Sequence, residues 1–158
     1  MIEDLYPELL NRPYSFKPTG TSIPADRRPA WRIGLLVLLL DECSRGKKSS
    51  FIRLQVLDWS IRSESGRKAM LDFLERKSPS EIPVRFDPAA LRAIQFGVAF
   101  EFFGFNGRVV ALLPKGTRLA DEIRENGIYV SEREYMSPLQ KKFLEGDIKR
   151  FMGTEWGN

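Results

Sequence analysis

The chain has 158 residues, a net charge of +4, 42% hydrophobic and 29% charged residues, one cysteine and no histidine. These values fit a soluble globular protein of one domain, or a small domain with extensions. They exclude an internal disulfide, a Cys/His zinc site and Ser–His or Cys–His catalysis, while the mildly basic balance permits nucleic-acid contact without demanding it.

Residues 1–26 are expected to be an irregular N-terminal arm, rich in Pro, Ser, Thr and Asn, with Tyr6, Tyr14 and Phe16 scattered through it. Its aromatics and the group Leu5, Leu9 and Leu10 suggest an arm that docks on this domain, on a second copy or on another protein. The opening MIEDLYPELL is acidic and lacks the basic region of a signal peptide. A cytoplasmic location is therefore expected, in keeping with the single Cys43.

Arg28-Pro29 starts a helix predicted over 29–44, with Gly46 after its end. Ile33, Leu36, Val37 and Leu40 make one stripe, and Leu35, Leu38 and Leu39 fill the other side. A helix apolar nearly all round must be surrounded, either at the centre of the core or against a partner. The apolar run 33–40 is too short to span a bilayer. Cys43 reads as packing. After a GKKSS loop, Ser49 or Ser50 caps a helix over 51–63. Phe51, Leu54, Leu57 and Ile61 face the core there, Arg53 and Arg62 face away, and Trp59 packs partially. A third helix is predicted over 67–77, with Met70, Phe73 and Leu74 as its apolar side.

SPSEIP is a linker leading to a short extended piece at 83–86, placed as a third strand beside the hairpin that follows. Asp87-Pro88 is a capped helix start, and Leu91, Ile94 and Val98 recur at helical spacing. Strands are predicted over 100–103 and 108–113 around Asn106-Gly107, a hairpin turn in which both residues tolerate positive φ. A polar-faced helix over 117–125 carries Leu119, Ala120 and Ile123. Ser137-Pro138-Leu139-Gln140 has the pattern of a capping box and predicts a last helix over 138–152, with Phe143, Leu144, Ile148, Phe151 and Met152 on its apolar side. GTEWGN is a polar tail.

The resulting fold class is mostly α with a small β-hairpin wing: a winged-helix-like domain over 27–127, the arm before it and a C-terminal helical extension over 128–158. No phosphate-cradling glycine motif is present, so no cofactor is expected. The carboxylate pairs Asp41-Glu42, Asp121-Glu122 and Glu132/Glu134 read as solvated helix faces rather than as acid/base pairs. No catalytic constellation emerges, and the chain is not expected to be an enzyme.

RPAWRIGLLVLLLDEC, then SSFIRLQVLDWSIRS, then VRFDPAALRAIQFGVAFEFFGFNGRVVALLPKGTRLADEI together resemble the small middle components of ABC-three-component systems, the Lamassu-type bacterial anti-phage operons. The resemblance covers roughly residues 27–126 and rests on packing and capping features. It implies a non-enzymatic adaptor subunit of an antiviral defence complex, partnered by an SMC/Rad50-like ATPase and a nuclease-like effector. It carries no catalytic residues over to this chain. The segment EFFGF is more aromatic than a usual wing and leans towards protein contact.

Two functions follow. In the first, a protein-binding adaptor uses surplus apolar surface; the candidate interface residues are Leu35, Leu38, Leu39, Phe103 and Phe105. In the second, a winged-helix protein contacts DNA, either nonspecifically or as a transcriptional regulator; the candidate phosphate contacts are Arg53, Arg62, Arg67, Lys68 and Arg108. Helix 67–77 carries Asp72 and Glu75 and few amides suited to base edges, so sequence readout is not expected.

Overall fold

The first helix begins where Pro29 can occupy an initial position without losing a hydrogen bond, and it ends before a left-handed turn at Gly46 and Lys47. A computed structural model of the chain describes residues 28–153. The N-terminal arm and the end of the tail lie outside the described residues. Helix α1 (Pro29–Cys43) has every residue from Leu35 to Leu40 buried. It is the central helix, packed against elements from both halves of the chain.

Strand β1 (Lys48–Ser50) follows, then α2 (Phe51–Ile61) and α3 (Glu64–Arg76). Ser50 caps α2 by accepting from the Arg53 N–H, and Ser63 caps α3 by accepting from the Gly66 N–H. Helix α4 (Pro88–Ala99) leads into a hairpin, β2 (Phe103–Phe105) and β3 (Val109–Leu112). The Asn106 side chain accepts from the Arg108 and Val109 N–H groups, and Gly107 supplies φ of 92° in the turn. Helix α5 (Pro114–Glu125) starts on its proline rather than at Thr117. Helices α6 (Val130–Leu139) and α7 (Ile148–Met152) complete the described chain.

The architecture is a helix-rich fold with a small three-stranded antiparallel sheet, ordered β1-β3-β2. The third strand is β1, not the segment 83–86. Ser49 pairs with Val110, and the Arg108 carbonyl accepts from the Phe51 N–H, so the start of α2 is joined to the hairpin. The first hairpin strand also shifts, from the expected 100–103 to Phe103–Phe105. Helix α4 runs on to Ala99, and Glu101 turns the chain at φ of 64° before pairing begins.

The C-terminal region differs most from expectation. Helix α6 already occupies Ser137 and Pro138, so that serine cannot cap a new helix, and Gln140 at φ of 44° ends α6. A fresh start comes later, where the Asp147 carboxylate accepts from the Leu144 N–H. The single helix expected over 138–152 is thus a helix end, a loop and the short α7. Phe143 and Phe151 are fully buried, meeting each other and Phe73 edge-on at 5.3–5.8 Å. Leu144 is exposed. Trp59 packs on Phe151 at 6.0 Å. Tyr135, Met136 and Leu139 belong to the same hydrophobic cluster as α1.

Candidate functional site

Helix α4 immediately precedes the hairpin, and its orientation decides what surface the molecule offers. Its buried side is made of small residues: Ala90, Ala93 and Gly97 at positions i, i+3 and i+7, with Ile94 beside them. That narrow face lets α4 approach α1 closely and lets the Phe103 ring lie on Gly97, where an added Cβ would stand 2.2 Å from a ring carbon. The periodic trio Leu91, Ile94 and Val98 is therefore not one buried stripe. Ile94 is buried, but Leu91 and Val98 are each 38% exposed.

With the small residues inside, Leu91, Gln95 and Val98 form an outward stripe at i, i+4 and i+7, two turns or about 10 Å long. Phe86, 36% exposed, lies in the linker before Asp87, and Ile82 lies further back in the same linker. Among the described residues, four of the nine exposed large hydrophobics fall between residues 82 and 98. Arg85 and Arg92 are exposed along this stretch, as are Glu81 before it and Glu101 after it, and none of the four forms an ion pair among the described residues.

The N-terminal end of α4 is fixed by a charge cluster. Asp87 caps the helix, accepting from the Ala89 N–H at 2.9 Å, and its second oxygen accepts from Arg32 at 3.0 Å. Arg32 also donates to Asp58 at 3.0 Å, and Arg62 reaches Asp58 at 3.2 Å and Asp87 at 3.7 Å. Burial pushes the Asp58 carboxyl up to about 6, against the pull of Arg32 and Arg62. Partial burial also works to raise Asp87, but the Ala89 N–H and Arg32 outweigh it and hold that carboxyl below its usual value. These four residues come from RPAWR, DWSIR and RFDP, the three stretches that open or close the segments of the resemblance. Sequence reasoning did not find the cluster. Its signal was a pair of charged residues in each of three short stretches that also carry aromatic or aliphatic residues.

The predicted contact residues are redistributed. Leu35, Leu38 and Leu39 are fully buried and Phe103 is 1% exposed, so these four are core rather than contact surface. Phe105 is half-buried against Phe51 at 5.5 Å. Arg53 does not face away. It is 4% exposed, and its guanidinium binds Ser44, Ser49 and the Cys43 and Phe143 carbonyls. Arg62 is held in the charge cluster. Arg67 donates to the Ile61 carbonyl and to Ser131, with its guanidinium over the Tyr135 ring. Lys68 is exposed on α3 beside Asp72, and Arg108 is exposed in the hairpin turn. Four of the five proposed phosphate contacts thus have partners within the protein, Lys68 only through an exposed pair with Asp72 at 3.3 Å.

Asp41 and Glu42 are not a solvated pair: both are half-buried and accept from Arg124 of α5, at 2.7 and 3.0 Å. Burial pushes the Cys43 thiol up to about 12, which leaves it protonated and unreactive at neutral pH. An open cleft of about 570 Å³ lies at the N-terminus of α2, lined in part by Arg45, Lys48, Ser50 and Glu145. Its anion-binding position is taken by Glu145, which accepts from the Ser50 N–H at 2.8 Å and from its hydroxyl at 2.6 Å. Among the described residues no group of Cys, Asp and Glu is placed to hold a metal ion, and no helix is long and apolar enough to cross a membrane. The chain matches no family model, no curated protein and no solved structure.

Proposed function

We propose that this chain is a non-enzymatic adaptor built on a winged-helix plan, which binds an SMC/Rad50-like ATPase in the cytoplasm and links it to an effector of anti-phage defence. The order α1, β1, α2, later α4, and then the β2–β3 hairpin, with sheet order β1-β3-β2, fits that plan if α3 and the linker after it are an addition. Helix α4 then stands where a winged helix carries its recognition helix, and the hairpin is the wing. The resemblance of the sequence supplies the ATPase, the effector and the defence context.

One observation carries the adaptor reading over DNA readout: the outward stripe of α4 sets aliphatic Leu91 and Val98 on either side of its one amide, Gln95. Base edges are read by Arg, Lys, Asn and Gln, and aliphatic side chains find only thymine methyls there. A partner protein, by contrast, removes such side chains from water. Nonspecific DNA contact keeps support from Arg92 and Arg108, both exposed, which could meet phosphates within a larger complex.

Affinity purification of the tagged chain from its native host, at native expression level, tests the reading. A coiled-coil ATPase recovered in stoichiometric amount is the expected result, and its absence from a pull-down that retains other partners would overturn it. Duplex-DNA titration of the isolated protein at two salt concentrations tests the second reading. Tight binding that collapses with salt is the outcome that favours DNA.

A further inference from the structure

We infer that the cleft at the start of α2 is the face on which this chain holds the phosphate backbone of duplex DNA, without regard to base sequence. The inference rests on the second reading above, nonspecific DNA contact, and assigns its surface; the adaptor reading does not depend on it.

Three segments meet at this cleft. Ser49 of β1 pairs with Val110 of β3, the Arg108 carbonyl accepts from the Phe51 N–H, and Glu145 accepts from Ser50. Segments 44–50, 106–111 and 140–147 carry Arg45, Lys47, Lys48, Arg108, Lys141 and Lys142 against two carboxylates, Glu145 and Asp147. Six cations against two carboxylates is a surplus of four, the net charge of the whole chain. The excess positive charge is therefore gathered here, and the rest of the sequence is balanced. Both carboxylates are engaged, Glu145 at Ser50 and Asp147, 9% exposed, at the Leu144 N–H. Asp41 and Glu42, just before Ser44, are held by Arg124, and Lys47 reaches Asp41 at 3.5 Å. The other five cations are exposed and form no ion pair among the described residues. Arg45 and Lys48 line the cleft itself, and Arg108 and Lys142 directly precede Val109 and Phe143 of its lining.

The kind of charge selects the occupant. Exposed cations gain little from the scattered carboxylates of an acidic peptide, because water screens each pair. Duplex DNA condenses counterions along its length, and each cation set against a phosphate releases one. A single strand is the poorer nucleic acid here. Among the described residues no exposed aromatic ring lines the cleft, Phe143 being fully buried, so unstacked bases find no platform. The lining also offers no Asn or Gln for base edges, which leaves contact with the backbone alone.

Fluorescence anisotropy of a labelled duplex of mixed sequence, titrated with the purified full chain at salt concentrations from about 50 to 200 mM, tests the inference. Affinity should fall as salt rises, with a log–log slope of about −2 to −4.5, set by two to five neutralised phosphates at about 0.9 each. Arg45→Gln and Lys48→Gln should each flatten that slope by about 0.9. Lys68→Gln and Arg92→Gln, at exposed cations of α3 and α4, should leave it unchanged. Polyglutamate at equal charge should compete poorly, and the single strand should bind more weakly than the duplex. Absence of salt-dependent binding would overturn the inference and the DNA reading together. A slope that survives both Arg45→Gln and Lys48→Gln, or that Lys68→Gln or Arg92→Gln flattens as much, would overturn the inference alone and leave DNA contact on another face. Polyglutamate that displaces the duplex at equal charge would overturn it in favour of an acidic partner protein, and tighter binding of the single strand would overturn the choice of duplex.

Discussion

Arg53 joins three parts of the chain that are far apart in sequence. Its Nε donates to the Phe143 carbonyl at 2.8 Å, one terminal nitrogen donates to the Ser44 and Ser49 hydroxyls, and the other donates to the Cys43 carbonyl. The end of α1, strand β1 and the loop before α7 therefore share one buried cation. Replacing it with Met keeps the volume but leaves two buried carbonyls without this donor, and each such orphan costs about 1–3 kcal/mol. Arg53→Met should lower the stability by about 2–5 kcal/mol in urea unfolding, with the slope of the transition unchanged. Arg108→Ala, at the exposed hairpin turn, should stay within about 0.5 kcal/mol of the parent. Equal effects from the two would remove the structural role given to Arg53. Nothing local marked this arginine as buried. Helical periodicity sets it off the stripe of Leu54, Leu57 and Ile61, and its carbonyl partners at Cys43 and Phe143 leave no trace in side-chain pattern.

Helix α4 shows where periodicity informs and where it misleads. Its start was legible because Asp87 and Pro88 act locally, as was the hairpin turn at Asn106 and Gly107. The choice of inward face was not. Two stripes compete on this helix, a large one of Leu91 and Val98 and a small one of Ala90, Ala93 and Gly97. Hydrophobicity favours the first, and close packing on α1 selects the second. The same limit explains the C-terminal region, where the capping pattern at Ser137 was outcompeted by a helix already running through it. Gly97 tests the packing argument. In an exposed helix interior Gly→Ala gains about 1 kcal/mol. Here the new Cβ would stand 2.2 and 2.3 Å from two Phe103 ring carbons, so the ring must move. Gly97→Ala should therefore destabilise by about 1–3 kcal/mol. Adding Phe103→Leu should make the same change nearly neutral or favourable, as read from a double-mutant cycle. A stabilising Gly97→Ala in the parent would mean that α4 does not pack on the hairpin as described.

On the scale of the whole molecule, the cluster of Arg32, Asp58, Arg62 and Asp87 ties α1, α2 and the start of α4 into one frame. That frame fixes the start of α4, and it gives stability a pH dependence. The Asp58 carboxyl, 1% exposed, rises from an ordinary 3.8 to about 6 because burial disfavours its charge. Between those values the folded protein holds a proton that the unfolded chain has released. The contribution of this group is thus fully present below pH 3.8 and is lost as pH rises through about 6. At 1.36 kcal/mol per pH unit the whole change is about 3 kcal/mol. Asp87 acts with the opposite sign, since its lowered carboxyl adds stability above the usual carboxylate range and loses it as pH falls. Asp58→Asn separates the two, because it removes one titration and leaves the helix cap in place. Urea unfolding of parent and Asp58→Asn from pH 4 to pH 7 should show the parent losing about 2–3 kcal/mol relative to the variant, most of it between pH 4 and 6. A difference that stays level across that range would mean that Arg32 and Arg62 keep Asp58 ionised throughout, and that the frame is a permanent ion-pair network with no titrating member.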